Sequence, residues 1–260
     1  MKSVIIIPAR RASTRLPHKL LLCGTGKPII QHTYESALTA TLPVSVTVAC
    51  DHTDIFNAVK QFGGNVQMTD PNAPSGTDRI AEVAADLNDV DIIVNVQGDE
   101  PTIAGSSIDL AVQVLIDNPD AVMSTLATPI QNRQQLEDAA CVKVVFDSKG
   151  RALYFSRSVI PHPREGIREE HFTQSPPLFY QHIGLYAYRR DFLLRLSQLP
   201  QPELEKTESL EQLRVLYHGY SIMVGIVDEA TFGIDTPEDY RRFIDQITAN
   251  ELGPLGDVPK

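Results

Sequence analysis

Short apolar, β-branched runs recur along the chain at residues 4–7, 44–49, 92–96, 121–126 and 142–146. Each is too short for a helix and apolar enough for a strand covered on both faces. Between the early runs the period changes. "IIQHTYESALTA" follows Pro28, a residue suited to a helix start, and "TDIFNAVKQF" runs into Gly63-Gly64, a natural stop. "TDRIAEVAADL" sets Ile80, Val83, Ala84 and Leu87 at helical spacing. Strands alternating with helices of this length predict βαβ units, a mostly parallel sheet and an α/β fold.

After Cys141 the alternation breaks. "VKVVFDSKGRALYFSRSVIP" reads as a hairpin that turns at 148–150 and returns as a strand over 152–155. Residues 162–177 are rich in proline and charge and predict an irregular excursion. "HIGLYAYRR" resumes a strand, "ESLEQLRVLYHG" reads as a helix ending at Gly219, and "SIMVGIV" reads as a late strand. The last helix opens at "DTPEDYRRF", with Thr236 as cap, Pro237 first, and two acids in the turn where the helix dipole favours them. The elements predict one α/β domain over residues 1–250, with 141–190 as an inserted excursion and 251–260 as a frayed tail. No internal repeat or low-complexity tract interrupts it.

A chain of 260 residues can bury a sizeable core. Its formal charge of −10 argues against a nucleic acid or an anionic membrane as partner. No stretch approaches the ~20 apolar residues of a membrane span, and "VIII" before Pro8 is too short for a signal peptide. Cys23, Cys50 and Cys141 are widely spaced, without metal-like pairing, and are expected to be reduced core or near-core thiols. A soluble, cytoplasmic protein follows as the expectation. The charge is unevenly placed: six cations (Lys2, Arg10, Arg11, Arg15, Lys19 and Lys27) precede the first acid, Glu35. A basic cluster inside an acidic chain points to a small anion.

In open α/β sheets ligands bind beyond the carboxyl ends of the strands, where the residues after Ile7 fall. Pro8, Ala9 and Ser13 are small enough to let backbone amides approach a ligand. Arg10, Arg15 and Lys19 supply forked and point-like positive charge suited to phosphate oxygens. A solvated basic loop paired with surface acids is the competing reading. The dinucleotide pattern G-x-G-x-x-G is absent after the first strand, and "GTGKP" lacks the early glycine and the Ser/Thr of a P-loop, so residues 24–26 read as a simple turn. Asp99, in "QGDEP" after a strand, could bind a hard cation or its own backbone. Asp235 could ligate or merely precede a helix cap. Asp51 reads as structural. "SGTDR" should open a helix after the third strand, with Ser75 or Thr77 as cap.

"IPARRASTRLPHK" resembles the N-terminal signature of the 3-deoxy-manno-octulosonate (Kdo) cytidylyltransferases. "SGTDRIAE", "VNVQGDEP", "VKVVFDSKGRALYFSRSVIP", "HIGLYAYRRDFL", "LEQLRVLYHG" and "GIDTPEDY" resemble the same family in its order, from residue 4 to about 244. The resemblance implies a Rossmann-like open sheet of the nucleotide-diphospho-sugar transferase type. It implies transfer of CMP from CTP to Kdo, Mg²⁺ held by Asp99 and Asp235, and a cytoplasmic homodimer serving lipopolysaccharide synthesis. Lys19 and Arg10 would then act with those aspartates in catalysis. Pro8, Ala9, Arg10, Ser13, Arg15, Lys19, Ser75, Gly76 and Arg79 would bind the nucleotide. By the same carry-over Arg157 would meet the sugar acid's carboxylate, and Gln97, His182, Glu211 and Gln212 its hydroxyls, with Tyr154 and Tyr186 packing nearby. Glu100 would stay structural.

The sequence departs from the family's pattern at His18, where a small residue is usual, and at Arg11, where an aromatic is common. The segment 162–181 matches no pattern. A cytidylyltransferase acting on another sugar acid (sialate or 8-amino-Kdo) and a non-catalytic nucleotide-sugar sensor both remain open to the sequence.

Overall fold

The run at residues 4–7 becomes the axis of a sheet. The computed structural model describes residues 1–13, 15–228 and 232–252. Its first strand, β1 (Ser3–Ala9), sends Ile5 and Ile7 into one apolar core and Val4 and Ile6 into another, because helices cover both faces. Parallel neighbours flank it: β2 (Pro43–Cys50), with β3 (Val66–Met68) beyond, and β4 (Ile92–Asn95) on the other side. The order continues from β4 to β8 (Tyr180–Arg189), β5 (Met123–Pro129) and β9 (Ile222–Ile226). Strand β8 runs antiparallel to both β4 and β5, while β5 and β9 are parallel. The hairpin of β6 (Lys143–Phe146) and β7 (Ala152–Ser156) hangs off this path, touching β8 at Lys143–Gln181.

Helices α1 (Ile29–Ala37), α2 (Thr53–Gln61), α3 (Gly76–Ala85) and α4 (Gly105–Asp117) link the first five strands. Short helices α5 (Arg133–Glu137) and α6 (Glu170–Thr173) border or lie within the excursion. Then come α7 (Arg190–Leu196), α8 (Glu203–Glu208), α9 (Gln212–Tyr217) and the closing α10 (Pro237–Leu252). Two caps form as the sequence requires. Ser75 Oγ accepts the Asp78 amide at 3.1 Å, and Thr236 Oγ1 accepts the Asp239 amide at 3.1 Å, directly before Pro237.

Differences from the pattern have physical causes. Strand β3 is three residues long and only partly buried, so it carries no apolar run. Helix α4 buries Ile108, Ala111, Val112 and Leu115 with Leu110, Val114 and Ile116 packed beside them, which blurs its amphipathic period. The helix expected over 208–219 begins only at Gln212 and ends at Tyr217, because Ser209 takes the left-handed conformation at φ 52° and closes α8 just before it. Cys23 is exposed rather than near the core, whereas burial of Cys50 and Cys141 pushes both thiols up to about 11. Helix α10 runs to Leu252, two residues into the stretch read as a frayed tail; the rest of that stretch lies outside the described residues.

The excursion has its own small core of Ile130, Leu136, Cys141 and Phe179. Lys143 ties it down. Its buried ammonium donates to the carbonyls of Asp138 (2.9 Å), Cys141 (2.6 Å) and Arg157 (2.6 Å). Among the described residues no helix is long and apolar enough to cross a membrane.

Candidate active site

The carboxyl ends of β1 and β4 and the N-terminus of α3 surround a cavity of about 730 Å³. Its walls include Pro8, Ala9, Arg10, Ser13, Arg15 and Lys19 from the loop after β1. Ser75, Gly76 and Arg79 come from α3, Gln97 and Asp99 from the loop after β4, and Asp235 from the segment before α10. The two strand-end loops approach closely, since a Cβ on Gly98 would stand 3.0 Å from the Pro8 carbonyl oxygen. That is where a glycine is required.

Lys19 is the hub. Its Nζ donates to Asp99 Oδ2, to Asp235 Oδ1 at 2.9 Å and to the Ile234 carbonyl at 2.9 Å, so all three ammonium protons are used. Asp99 and Asp235, 136 positions apart in sequence, thus share one cation. The Ile234 amide also donates to the Asp99 carbonyl at 2.9 Å, lacing their segments together. Arg15 adds Nη2 to Asp235 Oδ1 at 2.9 Å. Arg10 is exposed on the wall and has no ion-pair partner among the described residues. Arg11 turns away to Asp51, through its amide, and to Asp54, through Nε at 2.8 Å, as a surface pair. His18 takes φ 55°, the left-handed region that favours glycine, so the histidine occupies the strained position a small residue would relieve.

The carboxylate pair meets the demands of a hard divalent ion. Two acidic oxygens converge where a cation already sits, and no cluster of three or more ligating side chains surrounds them among the described residues. Mg²⁺ uses one or two carboxylates and completes its shell with waters and substrate phosphates, so the donor set fits.

On the opposite wall, Ser75 caps α3 and also bonds Asp78 Oδ2 at 2.7 Å. Arg79 faces the cavity, but its buried guanidinium is drawn onto Thr69 Oγ1 (2.5 Å), the Asp70 carbonyl (3.2 Å) and Asp51 (3.5 Å). It braces the loop between β3 and α3. A buried guanidinium must be satisfied, and these oxygens are the nearest acceptors.

Four residues expected at the sugar are not on the cavity wall. Arg157 donates from Nε to the Glu208 carbonyl (2.7 Å), left open where α8 ends, and from Nη1 to the Ala139 carbonyl (3.1 Å) after α5. His182 is a core histidine: its Nε2 meets Thr125 Oγ1 at 2.9 Å, and burial holds its pKa down to about 3. Glu211 is half-buried against Thr77 Oγ1, and desolvation raises its pKa. Gln212 accepts from the Tyr186 hydroxyl at 3.4 Å, and its buried Nε2 has no partner among the described residues. An unsatisfied buried amide donor costs about 1–3 kcal/mol unless a ligand or water answers it. Ser209, on the cavity wall, was not singled out by the sequence; its left-handed backbone has no periodicity to betray it.

Known proteins resemble this chain along most of its length. Residues 4–222 match the family model described as "Cytidylyltransferase". The 3-deoxy-manno-octulosonate cytidylyltransferase of Rhodopirellula baltica is 47% identical over 247 residues, covering 95% of this chain and 99% of its own. The enzyme of the same name from Syntrophotalea carbinolica is 47% identical over 243 residues, covering 93% and 97%. A solved structure of CMP:2-keto-3-deoxy-manno-octonic acid synthetase complexed with CTP superposes with a TM-score of 0.88 at 41% identity, covering 95% of this chain and 99% of that one.

Proposed function

The chain belongs to the 3-deoxy-manno-octulosonate cytidylyltransferases, and we propose that its cleft transfers CMP from CTP to the anomeric 2-hydroxyl of Kdo, releasing pyrophosphate, for lipopolysaccharide synthesis. The observation that carries the reading is the meeting of Asp99, Asp235 and Lys19 at one point of a cavity whose wall also carries Arg10, Arg15 and Arg79.

Cytosine and ribose are assigned to the Ser75–Gly76 wall, which Arg79 stiffens from behind. The β,γ-phosphates are assigned to Arg10, Arg15 and Lys19 and to the backbone around Pro8, Ala9 and Ser13. Lys19 neutralises the two aspartates that it bonds, and its flexible stem would also let it reach the phosphates of CTP. Asp99 and Asp235 would hold Mg²⁺, which would supply Lewis-acid activation of the α-phosphate and of the attacking hydroxyl. The cations stabilise charge developing on the departing pyrophosphate, and the walls hold nucleophile and leaving group in line. Positioning and charge neutralisation dominate such reactions, so no protein general base is invoked.

The acceptor end is assigned to Gln97 and Ser209. The orphan amide of Gln212 and the Arg157 guanidinium, held on Glu208, are assigned to the same end, the latter as partner for the sugar's carboxylate. The reading includes a cytoplasmic homodimer with the 141–190 region at its contact, where Leu153 on β7 is exposed. Sedimentation at low and high protein concentration tests that part.

The decisive assay is pyrophosphate release from CTP with Kdo, 8-amino-Kdo or sialate, with and without Mg²⁺. Mg²⁺-dependent release with Kdo far above the others is the expected outcome, lost by at least 100-fold in Asp99→Asn while the fold stays intact. Near-normal turnover of Asp99→Asn would remove that residue from the metal site. Tight CTP binding without release for any acceptor would sink the enzymatic reading.

A further inference from the structure

Two walls of the cavity come from different parts of the chain, and one carboxylate off the cavity stands between them. Asp51 follows β2 and lines a shallow hollow of about 480 Å³ beside the cavity, not the cavity itself. Its amide donates to the Ala9 carbonyl at 3.3 Å, which holds the ends of β1 and β2 side by side. Its carboxylate oxygens then divide. Oδ1 accepts the Arg11 amide at 2.9 Å, two residues past the end of β1. Oδ2 stands 3.5 Å from Nη2 of Arg79 in α3, where the two side chains are 13% and 4% exposed.

The order of cause runs from Arg79. A guanidinium buried this deeply requires an anion nearby, and Asp51 is the one carboxylate within ion-pair distance of it among the described residues. Thr69 completes the corner. Its amide and hydroxyl donate to the Cys50 carbonyl at 2.8 and 3.0 Å, while its Oγ1 accepts Arg79 Nη1. The remaining oxygen of Asp51 is satisfied by the Arg11 amide, and that bond parts two neighbouring arginines. Arg10 lines the cavity, whereas Arg11 lines the hollow, with Nε on Asp54 Oδ2 at 2.8 Å. Ala12 and Ser13 line both, so the basic loop is the partition between them.

We propose that Asp51 is a positioning residue for the nucleotide: through the Arg11 amide it fixes the basic loop, and through Arg79 it fixes the Ser75–Gly76 wall, so that the spacing a nucleoside triphosphate has to span is set before it binds. The inference rests on the reading that this cavity takes CTP. A site held at its bound spacing loses less freedom on binding than one that has to be drawn together. Only a carboxylate suits the position, since both partners are donors and a side-chain amide offers them a single acceptor oxygen.

Asp51→Asn tests this with almost no change in volume. Pyrophosphate release is followed while CTP and Kdo are varied in turn. The CTP KM is expected to rise about five- to tenfold and the Kdo KM less than twofold, because both walls face the nucleotide. Asp51→Ala should move the CTP KM further in the same direction. A substitution that merely loosened the fold would lower Tm and move both KM values alike; that result, or an unchanged CTP KM, overturns the proposal. Wild type that releases no pyrophosphate from CTP with any acceptor overturns the functional reading itself, and the inference with it.

A second readout needs no variant at the aspartate. In wild type labelled with ¹⁵N-arginine, the Arg11 backbone amide is assigned by its loss in Arg11→Lys. Without nucleotide present it is expected to exchange about 100-fold more slowly than an unstructured amide. Exchange at the unstructured rate overturns the proposal even if Asp51→Asn does not fold.

Discussion

Replacing Lys19 with methionine probes the charge arrangement directly. Lys19 Nζ is held by Asp99 Oδ2, Asp235 Oδ1 and the Ile234 carbonyl, and its side chain is 14% exposed. Methionine keeps the stem and removes the charge. Two carboxylate oxygens that share one nitrogen stand roughly 5 Å apart, and at an effective dielectric of about 20 they repel by about 3 kcal/mol once the cation is gone. Asp235 is 42% exposed and keeps Arg15, so solvent screening is expected to remove about half of that. The predicted loss is then about 1–2 kcal/mol, a fall in Tm of roughly 2–8 °C for a domain of this size.

The same repulsion makes the vacated pair a better seat for a divalent ion. Mn²⁺ should bind nucleotide-free Lys19→Met at least tenfold more tightly than wild type, since about 1.4 kcal/mol is a factor of ten. Manganese EPR titration measures this, and Mg²⁺ should restore the lost Tm in the variant while leaving wild type unmoved. Wild type should acquire tight Mn²⁺ only with CTP. Equal affinities of wild type and variant without nucleotide would refute the view that Lys19 guards the aspartates. Failure of Mn²⁺ to bind in any of these states would refute the metal site itself.

Two further outcomes follow from buried charge. Arg214 donates to both oxygens of Glu205, at 2.7 and 2.5 Å, and so joins α8 to α9 around Ser209. Arg214→Met should cost about 3 kcal/mol in urea unfolding by stranding a buried carboxylate, and adding Glu205→Leu should recover most of it; a cost that persists in the double variant would mean that packing, not charge, holds the joint. His182 is held neutral when folded, with its pKa near 3 rather than the ordinary 6.5. Its contribution is therefore complete above about pH 6.5 and fades as pH falls toward 3, by up to about 1.4 kcal/mol per pH unit. Thermal unfolding between pH 7.5 and 5 should fall less steeply for His182→Gln than for wild type, and identical slopes would show that His182 is not a titrating contributor.

The apolar runs and their helical interludes made the α/β class legible because a parallel strand buried on both faces must be apolar throughout, as β1 is. The caps at Ser75 and Thr236 were equally local, each depending on a side chain and an amide three residues away. The basic loop was legible for the same reason: Arg10, Arg15 and Lys19 lie within ten positions of one strand end, and all line the cavity. Where the sequence was silent, the deciding contacts were long-range. Arg157 donates to the carbonyls of Glu208, at the end of α8, and Ala139, and His182 meets the hydroxyl of Thr125. Chain composition alone determined a two-faced sheet with a basic loop at one strand end. Only the tertiary structure set Asp99 and Asp235 around one ammonium and brought Thr77 of α3 onto Glu211 before α9, because burial forces each charge or polar group to find a partner, whatever its distance along the chain.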